Sequence, residues 1–591
     1  METVSEVRKG GAWLLEETAD GDVFTPERLS DEHRLMAQTT DEFIDTEVLP
    51  HLDRLEAKDW ELARTLIRRA GDLGLLGINV PEQYGGVDLD KISSLIVAER
   101  IARAASFATS YGGQANLCIL PIALFGTDGQ KEKYLPKLVS GEWVGAYALS
   151  EAGSGSDALA AKTRAIRAAD GSWRLTGEKM WITNGGFADV IIVFAKVDGE
   201  SFTSFIVEKA FPGVSAGSEE HKMGLHGSST TSIVLQDAHV PADNVLGEIG
   251  KGHKVALNTL NFGRFKLGGM SVGGCRTAIG ASAVYAAQRR QFDQPIASFG
   301  AIRHKLGEMT ARTYAIESLV YRTAGLIDAA LDGGAHDGHA VAHAFEEYAV
   351  EASIAKVAGT ETLDFVLDEN VQIHGGNGFV KDYSAERYYR DARVNRIFEG
   401  TNEINRLLIP GMLIRRALKG EIPLIDAAKK LQDELLTPSA PASLAGDERP
   451  LDEELRMAVA FKKIALAIIG TAMQTYGQKI NDEQEVLGYA ADILVDTYAS
   501  ESSVLRARTA AATNPELRAL HHAAARCFVN DAAQRVEHAA RSALAAMAEG
   551  DSLRALMVVL RRILKNTPVN TVDLRRQLAD ATVEKGRYIF D

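Results

Sequence analysis

The spacing of apolar positions changes period twice along the chain. From about residue 26 to 145 it is helical. Thr25-Pro26-Glu27 and Ser30-Asp31-Glu32 carry helix-start signals, and Gly85-Gly86 after Pro81, then Pro121 and Pro136, punctuate the later helices. From about 146 to 245 the period falls to two. Trp173 and Leu175 alternate with Arg174 and Thr176. Val190 to Phe194, Phe205 to Val207 and Ser232 to Leu235 are short strand-like runs separated by Gly, Asp and Asn. Helical spacing returns from about 251 to 410, where small residues crowd Gly268 to Ala283 and predict close helix contacts. Thr437 to Pro450 holds Pro438, Pro441 and Pro450 among Ala, Ser and Gly and reads as a linker. Beyond it Phe461, Ile464 and Ile468 share a helix face, and 503–548 are alanine-rich helix. The pattern predicts an α+β multidomain protein. Its parts are an N-terminal helical domain (1–145), a β-domain (146–250), a helical domain (251–410), a connecting helix and linker (411–450) and a further helical region (451–591).

Composition narrows the function classes. A chain of 591 residues is too long for one ordinary core, and 46% hydrophobic with 25% charged residues fits a soluble globular protein. A net charge of −15 argues against a nucleic-acid partner. Cys118, Cys275 and Cys527 lie far apart, with no metal-ligand spacing and no disulfide framework, which fits a reducing compartment. Met1 to Glu6 show neither a basic n-region nor an apolar h-region, so a cytoplasmic location is expected. The longest apolar runs, such as Val190 to Ala195, fall far short of a membrane span.

Candidate chemistry concentrates in a few segments. In Arg396-Ile397-Phe398-Glu399-Gly400-Thr401-Asn402-Glu403 a lone carboxylate sits between an aromatic and a glycine. A base for a weakly acidic C–H must be desolvated so that its pKa rises toward working pH, and Phe398 can exclude water while Gly400 allows close backbone approach. Gln372 to Phe379 form a glycine-rich turn just upstream. Tyr147 to Asp157 alternate hydroxyls, small residues and N–H groups, a lining suited to a polar ring edge or a phosphate or to a plain Gly-Ser turn. Lys179 to Gly186 offer an indole beside a hydroxyl, and Arg289 to Phe292 end a helix with cations. No G-x-G-x-x-G occurs, so a dinucleotide, if bound, is not held by a Rossmann turn. Gly213 to Gly217 match G-x-S-x-G but lack the helix a nucleophile elbow needs. His374 has no second ligand beside it in sequence.

In this order the segments resemble the acyl-CoA dehydrogenase family over roughly residues 35 to 410. Lys222-Met223-Gly224, Val240-Pro241 and Gly263-Arg264 strengthen the likeness. Asn261 to Phe265, Ser298-Phe299-Gly300 and the long tail are similar to its very-long-chain branch. Ala152, where proline is usual, and Asp293, where glycine is usual, depart from the pattern. The resemblance implies an N-terminal helical domain, a β-barrel-like middle domain, a four-helix bundle and an additional helical domain. It implies FAD bordered by Tyr147, Leu149, Ser150, Gly155, Ser156, Trp181, Ile182 and Thr183, with Arg289, Gln372, Gly375, Gly376, Thr401, Asn402 and Glu403 completing the site, some from a partner subunit. It places the acyl-CoA against Ser156, Asn261, Gly263, Arg264 and Gly400.

The implied reaction is α,β-dehydrogenation of an acyl-CoA to a trans-2-enoyl-CoA. Glu399 takes the α-proton, and the β-hydride goes to flavin N5. Some branches carry the base on the helix containing Gly263, where glycine cannot serve. Hydrogen-bond donors to the enolate oxygen and drying of Glu399 by the incoming acyl chain are expected to supply the driving force. Gly113 leaves the acyl pocket open and favours long chains. The implied partners are electron-transferring flavoprotein and a second copy of the chain. An acyl-CoA oxidase or a non-catalytic assembly protein on the same scaffold are the alternatives. In the tail, Leu424, Ala428, Leu431 and Leu435 form an apolar stripe whose charges nearly cancel, favouring core packing over a peripheral membrane contact.

Overall fold

The computed structural model describes residues 8–331, 337–436 and 449–591, and most of the expected linker, residues 437–448, lies outside them. Seven helices build the N-terminal domain: α1 (Asp31–Phe43), α2 (Leu52–Glu56), α3 (Trp60–Asp72), α4 (Lys91–Ile101), α5 (Ala105–Gln114), α6 (Leu120–Phe125) and α7 (Asp128–Val139). Ser30 caps α1 by accepting from the His33 N–H, and the His33 ring returns the bond to the Ser30 N–H. Phe43, Leu66, Ile67, Phe107, Tyr134 and Leu135 fill the core between these helices.

The middle domain is one eight-stranded sheet of β1 (Gly145–Ala148), β2 (Arg164–Arg167), β3 (Trp173–Thr183), β4 (Val190–Val197), β5 (Ser201–Glu208), β6 (Val214–Ala216), β7 (Thr230–Val240) and β8 (Val245–Leu246). Its path is β6-β7-β3-β2-β4-β5-β8, with β1 parallel to β4. Strand β4 is buried on both faces. Ile191, Val193 and Ala195 join Trp173, Leu175 and Phe205 in the sheet's own core. Val190, Ile192 and Phe194 join the core of the N-terminal helices. That explains why β4 reads as a continuous apolar run while β3 alternates.

The rest is helical: α8 (Gly252–Gln288), α9 (Gly300–Ala330), α10 (Gly338–Glu347), α11 (Ala349–His374), α12 (Ser384–Ala392) and α13 (Asn402–Leu418), then α14 (Leu424–Leu436), α15 (Asp452–Tyr476), α16 (Gln484–Thr513), α17 (Arg518–Met547), α18 (Gly550–Ile563) and α19 (Thr571–Lys585). Helices α8, α9, α11 and α13 form the bundle. The small residues of α8 serve both its sides: Gly268 faces Ala355 and Val320, while Gly273 lies against the Glu99 carbonyl of α4.

Two boundaries differ from the sequence expectation. Helix α13 runs through Pro410 to Leu418, so the bundle does not end at residue 410. Burial of Ile409, Pro410, Leu413 and Ile414 outweighs the local penalty of an internal proline, about 3 kcal/mol. The extension shares the bundle's core, because Leu319 of α9, Tyr498 of α16 and Val536 of α17 belong to one apolar cluster. Leu424 and Leu431 of α14 are buried and Ala428 faces Gly470 of α15, so this stripe packs inward; the side chain of Leu435 lies outside the described ones.

Gly273→Ala should lower thermal stability by about 1–3 kcal/mol, since its Cβ meets backbone that cannot rotate away. Gly153→Ala, with no atom within 4 Å of the new carbon, should leave the melting temperature unchanged. Equal melting of the two variants would contradict this packing.

Candidate active site

Glu399 lies in the connection between α12 and α13, with φ +58°, and Gly400 follows at +77°. A left-handed conformation costs a residue with a side chain about 1–2 kcal/mol, so something must hold it. Three buried side chains grip the carbonyls of this turn. Arg264 Nε donates to the Glu399 carbonyl at 3.1 Å. Lys356 Nζ donates to the Gly400 carbonyl at 2.9 Å and to Asn402 Oδ1 at 2.6 Å. Asn405 Nδ2 donates to the carbonyls of Gly400 at 2.8 Å and Thr401 at 3.0 Å. Thr401 then caps α13 by accepting from the Ile404 N–H at 3.2 Å.

The carboxyl group is treated differently from the backbone that carries it. Its Oε2 is buried and, among the described residues, has no hydrogen-bond partner. Burial pushes the Glu399 pKa up to about 7, against a smaller downward pull from Arg264 and Lys356. The sequence alone predicts this rise only once an acyl chain has entered; the protein's own walls already produce it. The tightest wall is Gly263, where a Cβ would stand 2.6 Å from Oε2 and 2.8 Å from Cδ. The two positions at which a base could be carried therefore converge on one point, and glycine at one makes room for glutamate at the other.

From Glu399 a largely apolar cavity runs between domains. Gly263, Leu267, Met270, Gly274 and Thr277 give one helical stripe of α8 as a wall. Helix α5 contributes Ala105, Ala108, Gly112 and Gly113, helix α11 contributes Leu363 and Leu367, and Thr183 of β3 closes the end near Glu399. Gly113 packs on that threonine, 3.1 Å separating its would-be Cβ from Thr183 Cγ2.

The β-domain residues singled out from sequence border the same region. Tyr147 Oη is buried without a hydrogen-bond partner among the described residues, and the nearby Glu399 charge adds to burial in raising its pKa. Leu149 and Ile182 are buried and Ser150 is half-buried, while Gly155 and Ser156 are exposed on the loop after β1. Trp181 is 58% exposed at φ +59°, where the β3–β7 register slips between Lys179 and Ile182. The bulge turns an indole outward that a regular strand would have alternated inward.

The remaining candidates divide between supports of the Glu399 turn and the distant ends of α8 and α11. Asn261 Oδ1 accepts from Arg264 Nη1 at 2.9 Å, so both are engaged in supporting the Glu399 turn. Asn402 is buried and bonded to Lys356, Thr360 and Glu361, whereas Glu403 is exposed. Arg289, Gln372, Gly375 and Gly376 are exposed at the far ends of α8 and α11, near Phe292 and Phe379, each 86% exposed. Sequence reasoning gave no role to Lys356, Asn405 or the buried Glu151–Lys179 pair at 2.7 Å. Lys179 and three further donors, from Lys162 and Thr163, hold the Glu151 pKa at about 2 despite burial and tie the Ser150–Asp157 loop to β3. A lone lysine in the apolar run Ala352-Ser353-Ile354-Ala355-Lys356-Val357-Ala358 was the available signal for a buried cation.

Comparison with known proteins is decisive. Models of the acyl-CoA dehydrogenase N-terminal domain match residues 30–142, of its middle domain 146–238, and of its C-terminal domain 250–413, with a second C-terminal model at 460–562. The chain belongs to the acyl-CoA dehydrogenase family. A probable acyl-CoA dehydrogenase of Bacillus subtilis is 49% identical over 592 residues, covering 99% of each chain. The crystal structure of an acyl-CoA dehydrogenase complexed with FAD from Bacillus anthracis superposes with a TM-score of 0.96 at 48% identity, over 98% of this chain and 100% of that one. The human very long-chain specific acyl-CoA dehydrogenase is 40% identical over 349 residues, 57% of this chain and 51% of that protein.

The chain is thus an acyl-CoA dehydrogenase and its cofactor is FAD. The residues present fit a flavin: an outward indole, an unpartnered phenol hydroxyl beside the carboxyl group, and a loop with open space at Gly153 and Gly155. Gly263→Ala should retain FAD yet slow acyl-CoA-dependent flavin reduction by about 10²-fold, because the new methyl displaces the Glu399 carboxyl. Flavin reduction at the wild-type rate would show that this contact does not position the group.

Proposed function

We propose that the enzyme dehydrogenates long-chain acyl-CoA thioesters to trans-2-enoyl-CoA, with Glu399 as the sole α-proton base. The observation that supports the chain length is the α8 wall of the cavity. It runs from Gly263, against the carboxyl group, to Thr277, fourteen residues on, or about 21 Å. A wall of that length, built of Gly263, Leu267, Met270, Gly274 and Thr277 with the Lys266 ammonium turned to Ser94, suits an extended long acyl chain rather than a butyryl group. The thioester Cα lies at the Glu399 end, where the buried Oε2 has no hydrogen-bond partner among the described residues and can accept a proton.

Tyr147, Leu149, Ser150, Gly155, Ser156, Trp181, Ile182 and Thr183 border the flavin in this reading. Bound FAD supplies the hydride acceptor, and electron-transferring flavoprotein is the onward acceptor we assign. Arg264, Lys356 and Asn405 act as positioning residues through the carbonyls of the turn. Arg289 stands twenty-six residues along α8 from Gly263, about 39 Å. That exceeds the reach of one dinucleotide, so with Gln372, Gly375 and Gly376 it serves the FAD of a second protomer in a homodimer. The exposed Phe292 and Phe379 beside it suit such an interface.

Glu399→Gln should keep FAD and still bind acyl-CoA, but lose anaerobic flavin bleaching by about 10³-fold or more. Near-normal bleaching would sink the assignment. The base acts only when ionised and its pKa is raised to about 7, so kcat/KM should climb as pH rises toward 7 and level off above it. A flat profile from pH 5.5 to 8.5 would contradict a desolvated Glu399. A bleaching scan from butyryl- to stearoyl-CoA should favour the long chains, and activity confined to the shortest would refute the cavity reading. Stoichiometric H₂O₂ release with acyl-CoA would identify an oxidase instead.

A further inference from the structure

The far end of the cavity is walled by Ala102 and Arg103, just past α4, and by Gly274 and Thr277 of α8. Immediately behind that wall lies a buried ionic cluster that the reaction does not use. Arg276, between the two lining residues of α8, pairs with Glu99 of α4 and with Glu317 of α9, and both carboxylates are almost completely buried. Arg276 Nη1 also reaches Asp591 Oδ1 at 3.1 Å, and Arg100 Nη1 of α4 reaches the same oxygen at 3.0 Å. Tyr588 donates from Oη to Glu317 Oε2 at 2.9 Å, beneath the Arg276 guanidinium, 5.5 Å from its ring centre. Arg506 of α16 holds the same Glu317 Oε2 at 2.5 Å, while Arg276 takes Oε1, and Arg506 pairs with Glu27 at 2.7 Å. Tyr588 and Ile589 are buried, so the segment is seated in the fold.

The charge pattern gives this segment a task. Arg100 and Arg276 sit on the two helices whose contact closes the cavity, and each opposes the other's charge. Asp591 bridges them from one side and Glu99 from the other. Removing Asp591 leaves Arg100 with Asp41 and Arg276 with Glu317, and Glu99 as the carboxylate shared between the two like charges behind Ala102 and Gly274. Helix α8 meets α4 there through Gly273, which leaves no side chain to hold the spacing. Arg276 is nearly buried and Asp591 is 23% exposed, so loss of this shared carboxylate uncovers repulsion between the two arginines, and relaxation of α4 away from α8 is the expected response. The head of the cavity is fixed separately by Arg264 and Lys356, which this cluster does not touch.

We propose that Tyr588 and Asp591 latch the far end of the acyl cavity, so that the segment after α19 sets which chain lengths the enzyme accepts. The proposal rests on the reading of this cavity as the acyl pocket. Both are positioning residues, since neither touches the cavity itself. The test uses full-length holoenzyme carrying Asp591→Asn with Tyr588→Phe, assayed with butyryl-CoA and palmitoyl-CoA. FAD content and kcat/KM for butyryl-CoA should stay within about two-fold of wild type, while KM for palmitoyl-CoA rises roughly ten-fold. Tyr588→Phe alone, which removes one hydroxyl, should shift the ratio in the same direction by less, and Asp591→Glu, which keeps the charge, should restore most of it. An unchanged palmitoyl-to-butyryl ratio, even with both rates lowered, would mean a merely structural role and overturn the latch. A wild-type enzyme with no preference for palmitoyl-CoA would instead overturn the acyl-pocket reading on which the latch depends.

Discussion

Two buried cations sit beside Glu399, and both bind backbone rather than its carboxylate. That choice of partner governs the site. Had Arg264 or Lys356 paired with the carboxyl oxygens, a charge-assisted bond would have driven the pKa below the normal range and left a weak base. Their donors instead satisfy the carbonyls of Glu399 and Gly400 and stabilise an unfavourable left-handed turn. The carboxyl group is left with burial as the dominant influence, and burial raises its pKa. The same two positive charges remain close enough to favour the ionised form somewhat, which keeps the value near neutrality.

The arrangement needs a helix that can come very close, and α8 is that helix. Gly263 admits the carboxyl, and the next residue supplies the guanidinium that fixes its carbonyl. Further along, Gly273 admits the α4 backbone. One rigid element of 37 residues therefore sets the position of the Glu399 carboxyl, the wall of the cavity and its far end together. The β-domain closes the remaining side through Thr183, at the end of a strand whose bulge exposes Trp181. Strand β4, buried on both faces, fixes that domain to the helices, so the groove between them has rigid lips.

The sequence made legible those features whose chemistry leaves a local pattern. Glu399 between Phe398 and Gly400, the period-two strands, and the crowd of small residues on α8 all reappear in the structure as a left-handed turn carrying a buried carboxyl oxygen, the sheet and the close contacts. Effects that depend on partners distant in the chain were not legible. Lys356 and Asn405 look like ordinary helix residues until α11 and α13 meet around the turn. Asn402 reads as a ligand contact, yet Lys356 and Thr360 take up its side chain. The sequence pattern ends the helical domain at residue 410, but tertiary burial carries α13 through Pro410 to Leu418. The resting pKa of Glu399 escapes a sequence reading for the same reason, because Gly263 lies 136 positions upstream and only the fold brings it to the carboxyl.

The extension changes what the bundle must do on its outer side. Helices α16, α17 and α19 cover α9, and α16 covers α13, with apolar side chains continuous with the bundle core. An uncovered α9 would present Ile316 and Leu319 to water, and a separate chain could cover it only at sufficient concentration. Supplying the cover in the same chain removes that dependence. At the ends of α8 and α11, Phe292 and Phe379 stay uncovered by the extension, each 86% exposed. An extension that packs so completely into the bundle is also in a position to act on the site. Its Arg506 and Tyr588 reach Glu317 of α9, and Asp591 reaches Arg276 of α8 and Arg100 of α4, the contacts on which the proposed latch depends.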